Sequence, residues 1–567
     1  MQELTKQLEQ TPIIYVTRDI ERALGLENTP NYYIISNYNE SFNPVLSLPK
    51  EGVDNDNILL IKEEKQLDTW ELLQHPETKK FLRSVPSPLQ PAGRQAGEEG
   101  QGEVNIVVFK PTKQIERICA ENNWNLLNPL AELSNKIEEK ISQLDWLGDL
   151  KKYLPDYSVK LCKDIEWKEN KFILQFNRSH TGSGTMLIGS AEQLDEIKNK
   201  FPEREARLAK YIEGPLFTNN NVVTKNETLI GNINYQITGL QPFTDLPFAT
   251  IGNDWGFPHK YLSEEQIEQY KKIVTDIGDK LREDSWRGLF GVDIVVEEST
   301  GKLYLVEINA RQPASTTFES QLQKTTDSYQ PTAISTFEAH LASLLNLDLS
   351  DYELIEIENG AQIIQRVTKD IPSLPEPKYN KRPDMNVIKY NNTKPGSDLL
   401  RIQTHYSLID GHNKLSKNGL KIIDFITVTK KGNAWNLPRG AILAIKDNKI
   451  LLIERQAYTQ HFFTPPGGTK EDSDKDILET AKREGKEETN LNFDIPEQKP
   501  LYFNVNGRDE YYFFVENISG ELKLGKEEYE RSNENNSFKL VWVDLKELPN
   551  IMLLPQGITE KILEKIS

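Results

Sequence analysis

The hydrophobic pattern changes character twice along the chain. At the start, PIIYVT, NYYIISN, NILLIK and NIVVFK are short apolar runs, and DIERALGL between the first two spaces its apolar residues as a helix does. Buried strands alternating with helices predict an α/β domain on a parallel sheet, here residues 1–123. Residues 86–103, PSPLQPAGRQAGEEGQGE, interrupt it and predict a flexible, solvated insert.

From residue 124 the pattern is mixed. NPLAELSNKIEEKISQLDWLGDL is helical, and KFILQFNRSHTGSGTMLIG is strand, Gly/Ser-rich turn, strand. LAKYIEGPLFTNNNVVT and ETLIGNINYQITGL predict antiparallel strands, and EEQIEQYKKIVTDIGDKL an amphipathic helix. GLFGVDIVVEESTGKLYLVEINAR predicts a hairpin turning at Ser299-Thr300-Gly301, and TAISTFEAHLASLLNL another helix. These elements make an α+β domain over 124–370. Proline clusters in IPSLPEPKYNKRPD predict a linking region, 371–431. The last unit, 432–567, carries strands in GAILAIKDNKILLIER, a helix near 474–489, strands in DEYYFFVE and FKLVWVDL, and a closing helix. No internal repeat is visible. The fold class is therefore a multidomain α/β and α+β chain.

Charge narrows the partners. The 567 residues carry a net charge of −18. Such a chain repels bulk polyanions, which argues against nucleic acid or an anionic membrane as partner. It can still bind phosphates through a local divalent cation and a few cationic side chains. Cys119 and Cys162, the two cysteines, form neither a metal-ligand spacing nor a disulfide framework. The start, MQELTKQLEQTPIIYV, lacks a signal peptide's basic and apolar regions, and no apolar run approaches the about 20 residues that span a bilayer. These features predict a cytoplasmic protein.

The chemistry concentrates at GKLYLVEINAR. Residues two apart on a strand share a face, so Glu307 and Asn309 point one way, with Leu303 and Leu305 before them. Asp293 in GVDIVV lies opposite Glu307 if the hairpin pairs simply. Two carboxylates and an amide make a hard-oxygen cluster suited to Mg²⁺ or Mn²⁺, and Arg311 is placed to neutralise a transferred phosphoryl group.

At this point the chain resembles the ATP-grasp superfamily over about residues 1–370, with the first domain as the family's preceding α/β domain. VDIVV…LYLVEINAR resembles the metal hairpin. LNPLAELSNK resembles the segment ahead of the central domain, which makes Lys136 a phosphate lysine. HTGSGT resembles the phosphate flap and implies contacts from Ser179, His180, Gly182, Ser183 and Gly184. LAKYIEGP resembles the hinge, where Ala209 and Ile212 would read adenine, with Lys210 near the ring. The flap strand departs from the family: Gln175 stands where a second phosphate lysine is usual. Arg178 and His180 are the candidates to compensate. PFATIGNDWGFPHKYLS, with Asp254, Trp255 and His259, is either part of the substrate pocket or a plain surface loop. The resemblance implies ATP- and Mg²⁺-dependent activation of a small carboxylate as an acyl phosphate, then attack by an amine-type acceptor.

In the last unit, Glu484, Glu487 and Glu488 stand at i, i+3 and i+4, on one helix face, with Arg483 beside them and Ile477, Leu478 and Ala481 as the buried stripe. Like charges at that spacing repel unless a cation or solvent offsets them. With FFTPPGG before and YYFFVE and LVWVDLKELP after, this segment resembles the Nudix box and an α/β/α sandwich over 432–567. The resemblance makes the three glutamates Mg²⁺ ligands, with Glu487 and Glu488 catalytic, and a nucleoside diphosphate derivative the substrate. Glu527, Glu528 and Glu530 are candidates for the base. The box departs from its family in four ways. The spacing from Gly468 to Arg483 is one residue longer than usual, Lys475 or Asp474 falls at the expected glutamate, Gly485 replaces an aliphatic residue, and Asn490 replaces glycine. Three readings stay open: a ligase fused to a Nudix hydrolase, a Nudix hydrolase with a nucleotide sensor, and a Nudix unit that only binds.

Overall fold

The computed structural model describes residues 4–566, apart from 5, 8–9, 39–56, 86–103, 178–183, 326–331, 370, 372–384, 391, 429–436, 458–459, 472, 506–507, 526–528, 530–535 and 556. The insert 86–103 therefore lies outside the described residues. So do Arg178, Ser179, His180, Gly182, Ser183, Glu527, Glu528 and Glu530. The chain divides into two compact units, residues 1–367 with 382–416, and 368–381 with 417–567.

In the first unit, the opening apolar runs pair as a parallel sheet in the order Ile58–Ile61, Tyr32–Asn37, Ile13–Val16, Asn105–Val108, Asn125–Leu126. Alternation loads both faces. Ile14 and Val16 pack with Ile115 and Ile118 of the helix Lys113–Glu121. Ile13 and Tyr15 pack with Phe337 and Leu341 of the helix Thr336–Leu344. That second contact fastens the first domain to the next.

A four-stranded antiparallel sheet follows, in the order Tyr157–Leu161, Glu205–Lys210, Phe172–Phe176, Thr185–Ile188. Leu174, Phe176, Ile188 and Ala206 pack one of its faces against Leu194 of the helix Ala191–Lys200.

The large antiparallel sheet has nine strands among the described residues. Its main path runs Leu303–Asn309, Gly288–Val296, Leu216–Val223, Asn234–Thr238, Thr250–Asp254, Ala361–Arg366, Asp398–Thr404, Met385–Lys389. The last two strands come from the stretch that the proline clusters mark as a linker. They join because Asp398–Thr404 pairs along the whole of Ala361–Arg366, a contact that prolines upstream do not reveal.

Beneath the end of this sheet Glu319 is fully buried. Its carboxyl accepts from Asn220 Nδ2 at 2.6 Å, Thr336 Oγ1 at 2.8 Å and Trp255 Nε1 at 3.3 Å. Burial outweighs these bonds and pushes it up to about 8. The folded chain thus holds a proton that the unfolded chain releases above the ordinary glutamate range. The stabilisation is complete below that range and is lost as pH rises towards about 8, at about 1.4 kcal/mol per pH unit. Glu319→Gln imitates the protonated acid and is expected to flatten this slope. Urea unfolding of the first unit between about pH 5.5 and 7.5 measures it, and equal slopes in both proteins would refute it.

The second unit is a sheet covered on both faces. Arg439–Lys446 pairs in parallel with Arg508–Ser519 and antiparallel with Lys449–Ala457. Ile442 and Ala444 face Ala481 of the helix Ile477–Thr489, while Ala441 and Leu443 face Ile558 and Ile562 of the helix Ile558–Ile566. This is the α/β/α sandwich expected from the sequence. No described helix is long and apolar enough to cross a membrane.

Candidate active sites

The hairpin Gly288–Val296/Leu303–Asn309 places Asp293 directly opposite Glu307. Its turn needs Gly301, whose φ is +72°. A bulge follows, since Ile294 pairs with Leu305 and skips Val306. The extra residue flips the alternation. Tyr304, not Leu303 or Leu305, therefore shares the face of Glu307, which corrects the regular-strand reading. Tyr304 joins Ile212, Val295, Leu216 and Val306 in an apolar cluster on that face, beside the acids.

The acids sit among cations. Asp293 accepts from Thr218 Oγ1 at 2.6 Å. Burial first, then the charge of Glu307, pushes the Asp293 carboxyl above its usual range. Lys140 Nζ lies 2.7 Å from Glu307 Oε1. Burial works to raise Glu307, but Lys140, Arg311 and Lys110 hold it below the usual range. Asn309 turns its nitrogen, not its oxygen, towards Asp293 Oδ2, at 3.4 Å. Arg311 and Lys110 both pair with Glu138. The helix Ala131–Glu138 is tied to this strand end by Ser134 Oγ donating to the Ala310 carbonyl at 2.7 Å. Two in-register carboxylates bordered by cations fit a divalent cation with a phosphate beside it.

Lys136 does not reach this cluster: it is exposed on the helix, and the turn after that helix brings Lys140 in instead. The wider helix pattern gave no sign of where the helix stops. Asn177, which sequence reasoning passed over, binds the same turn. Its Oδ1 accepts from Ile141 N and Ser142 N at 2.8 and 3.2 Å, linking the flap strand to Lys140. Gln175 is buried and donates to Thr185 Oγ1 at 3.3 Å. Gly184 immediately precedes the return strand Thr185–Ile188, its carbonyl accepting from Phe176 N at 2.9 Å. Ala209 pairs with Tyr157 and Ile173. Lys210 points away from them to Glu297, at 2.9 Å. Asp254, Trp255 and His259 have partners within the fold: Asp254 gathers loops, Trp255 donates to Glu319, and His259 Nε2 lies 3.0 Å from the Ile357 carbonyl.

In the second unit Asp476 caps the helix Ile477–Thr489, and Asn490 ends it with φ +59°. Arg483 organises the acids. It bonds Asp474 through Nε and Nη2, both at 3.0 Å, and its Nη1 lies 3.0 Å from both Glu484 and Glu487. Glu488 accepts from the Gly467 amide at 2.6 Å. A Cβ on Gly468 would lie 2.2 Å from Glu484 Cδ, so the second glycine is needed for that carboxylate to cross the loop. A Cβ on Gly485 would lie 2.8 Å from Phe493 Cζ and 2.9 Å from Ile442 Cδ1. Those side chains occupy the space of the missing aliphatic, so no core volume is given up. The three glutamates share a helix face but do not converge: among the described residues no three His, Cys, Asp or Glu stand together to hold a metal ion. The oxygens suit Mg²⁺, but Arg483 engages two of the three.

Residues 137–315 match the family model of the ATP-grasp domain, and residues 436–562 that of the NUDIX domain. The chain thus carries an ATP-grasp domain followed by a NUDIX domain. Lys140 falls inside the matched segment and Lys136 just before it. No curated protein matches the chain. The L-amino acid ligase from Bacillus licheniformis has a TM-score of 0.50 at 12% identity, covering 74% of this chain and 98% of that one. The N5-carboxyaminoimidazole synthetase from Staphylococcus aureus complexed with ADP has 0.48 at 12%, covering 75% and 98%. The carboxyaminoimidazole ribonucleotide synthase from Aspergillus clavatus complexed with ATP has 0.47 at 14%, covering 75% and 99%. At these identities the likeness is one of fold.

Proposed function

We propose that the first unit is an ATP- and Mg²⁺-dependent ligase. It phosphorylates a small carboxylate to an acyl phosphate, which an amine-type acceptor then attacks. The observation that carries this reading is the meeting of Asp293, Glu307, Lys140 and Arg311 at one strand end. Asp293 and Glu307 hold the metal, whether Mg²⁺ or Mn²⁺, whose contribution when bound is to neutralise phosphate charge. Lys140 binds a phosphate oxygen. Arg311, oriented by Glu138, spreads the charge of the transferred group. The Tyr304–Ile212–Val295 cluster supplies an apolar surface for the adenine ring.

The second unit acts on, or holds, a nucleoside diphosphate derivative. The engagement of Glu484 and Glu487 by Arg483 favours holding over hydrolysis. One experiment separates the readings. The full chain is incubated with MgATP and pooled amino acids and small carboxylates, with hydroxylamine to trap acyl phosphates, and products are followed by mass spectrometry. ADP, Pi and a hydroxamate are expected only when the right acid is present. Hydrolysis of a diphosphate derivative without any acid-dependent ADP would instead make the second unit the catalyst and the first a sensor.

A further inference from the structure

Gln175 leaves a neutral amide where nucleotide phosphates call for charge. On the adjoining strand Arg207 stands in register with it, and Ala209 with Ile173. Residues in register share a sheet face. Leu174, Phe176 and Ala206 belong to the face packed under the helix Ala191–Lys200. By alternation Ile173, Gln175, Arg207 and Ala209 take the opposite face. Arg207 is therefore one alternation along from Ala209, the residue placed at the adenine.

Arg207 is a strange residue to find there. It is 1% exposed, yet its Nε and Nη1 have no hydrogen-bond partner among the described residues. The Tyr157 ring lies 5.5 Å from its Cζ. Burial pushes its pKa down to about 10. A long cationic side chain usually carries its head to water, and a buried unpaired guanidinium is costly. Such a group makes sense where a ligand completes it. The fork of a guanidinium matches phosphate oxygens in pairs, which the Gln175 amide cannot do.

We propose that Arg207 binds the phosphates of the nucleotide, delivering from the strand Glu205–Lys210 the positive charge that Gln175 does not supply. The proposal rests on the reading of the first unit as an ATP-dependent ligase. It gives the compensating role to Arg207 rather than to Arg178 or His180, the candidates in the sequence, which lie outside the described residues.

The test is titration calorimetry of the full chain with MgATP, MgADP and adenosine. Arg207→Met is expected to weaken both nucleotides by about tenfold to a hundredfold and to leave adenosine unchanged. Arg207→Lys keeps the charge and loses less. Gln175→Lys, added to Arg207→Met, restores nucleotide affinity from the neighbouring strand. Without ligand, Arg207→Met melts no lower than the wild type, because an apolar side chain replaces an unpaired buried charge. Equal weakening of MgATP and adenosine, unchanged MgATP affinity, or a lower ligand-free melting temperature would each overturn the proposal. If the wild-type chain binds MgATP neither more tightly than adenosine nor at all, the ligase reading falls, and this proposal with it.

Discussion

Glu307→Gln is expected to abolish acid-dependent ADP formation, lowering kcat by about a thousandfold or more, the scale on which preorganised charge contributes to phosphoryl transfer. The substitution keeps shape and hydrogen-bonding capacity but removes one of the two charges facing a bound cation. It also frees Lys140, now 2.7 Å from Glu307 Oε1, to pair with Asp293 instead, which opposes metal binding a second time. The fold is spared, because the Glu307 side chain is 36% exposed and the hairpin is held by its ladder and by apolar neighbours. Steady-state kinetics against MgATP concentration, with a melting curve on the same sample, makes the check. Turnover within about tenfold of wild type at saturating Mg²⁺ would remove the carboxylate pair from the mechanism.

Asp254→Ala is expected to have the largest effect on stability, about 3–5 kcal/mol, confined to the unfolding transition of the first unit. Asp254 is fully buried and gathers five donors. Its Oδ1 accepts from Gly256 N and Phe257 N at 3.0 and 2.9 Å. Its Oδ2 accepts from Ser407 Oγ, Leu408 N and Ile409 N at 2.9, 2.6 and 3.0 Å. One carboxylate thus ties the end of Thr250–Asp254 to a turn more than 150 residues away. Alanine would strand the Gly256, Phe257 and Leu408 amides and leave the Ser407 hydroxyl and the Ile409 amide only their longer contacts within their own turn. Asparagine keeps one acceptor oxygen and sets an NH2 against the remaining donors, so it recovers only part of the loss. Urea unfolding that finds less than about 1 kcal/mol would show that water can replace the carboxylate.

The legible parts of this molecule are local. The strand Gly288–Val296 follows from its apolar run, and the hairpin from the Ser-Thr-Gly turn. The pairing of Asp293 with Glu307 followed from that hairpin alone. The face assignment beyond it failed, because one extra residue at Val306 reverses the alternation and leaves no compositional mark. Lys136 and Lys140 are both helix-region lysines in the sequence. Only the point where the helix Ala131–Glu138 stops separates an exposed lysine from one held at Glu307. Asp254 read equally as a pocket residue or as part of a surface loop, because a carboxylate beside Trp and Gly offers no clue to its donors, three of which lie across the fold.

What the sequence determined by itself was therefore the set of elements and the chemistry within one turn or hairpin: periodicity and turn residues act over a few positions, and so does their record. The two-domain identity, the acid pair and the Nudix glutamates all belong to that range. The tertiary structure alone decided which cation meets which acid, that residues 385–404 extend the large sheet, and that Arg207 stands beside Gln175. Those depend on strand register and chain reversal, where partners far apart in sequence are chosen by the burial and hydrogen bonding of whole sheets.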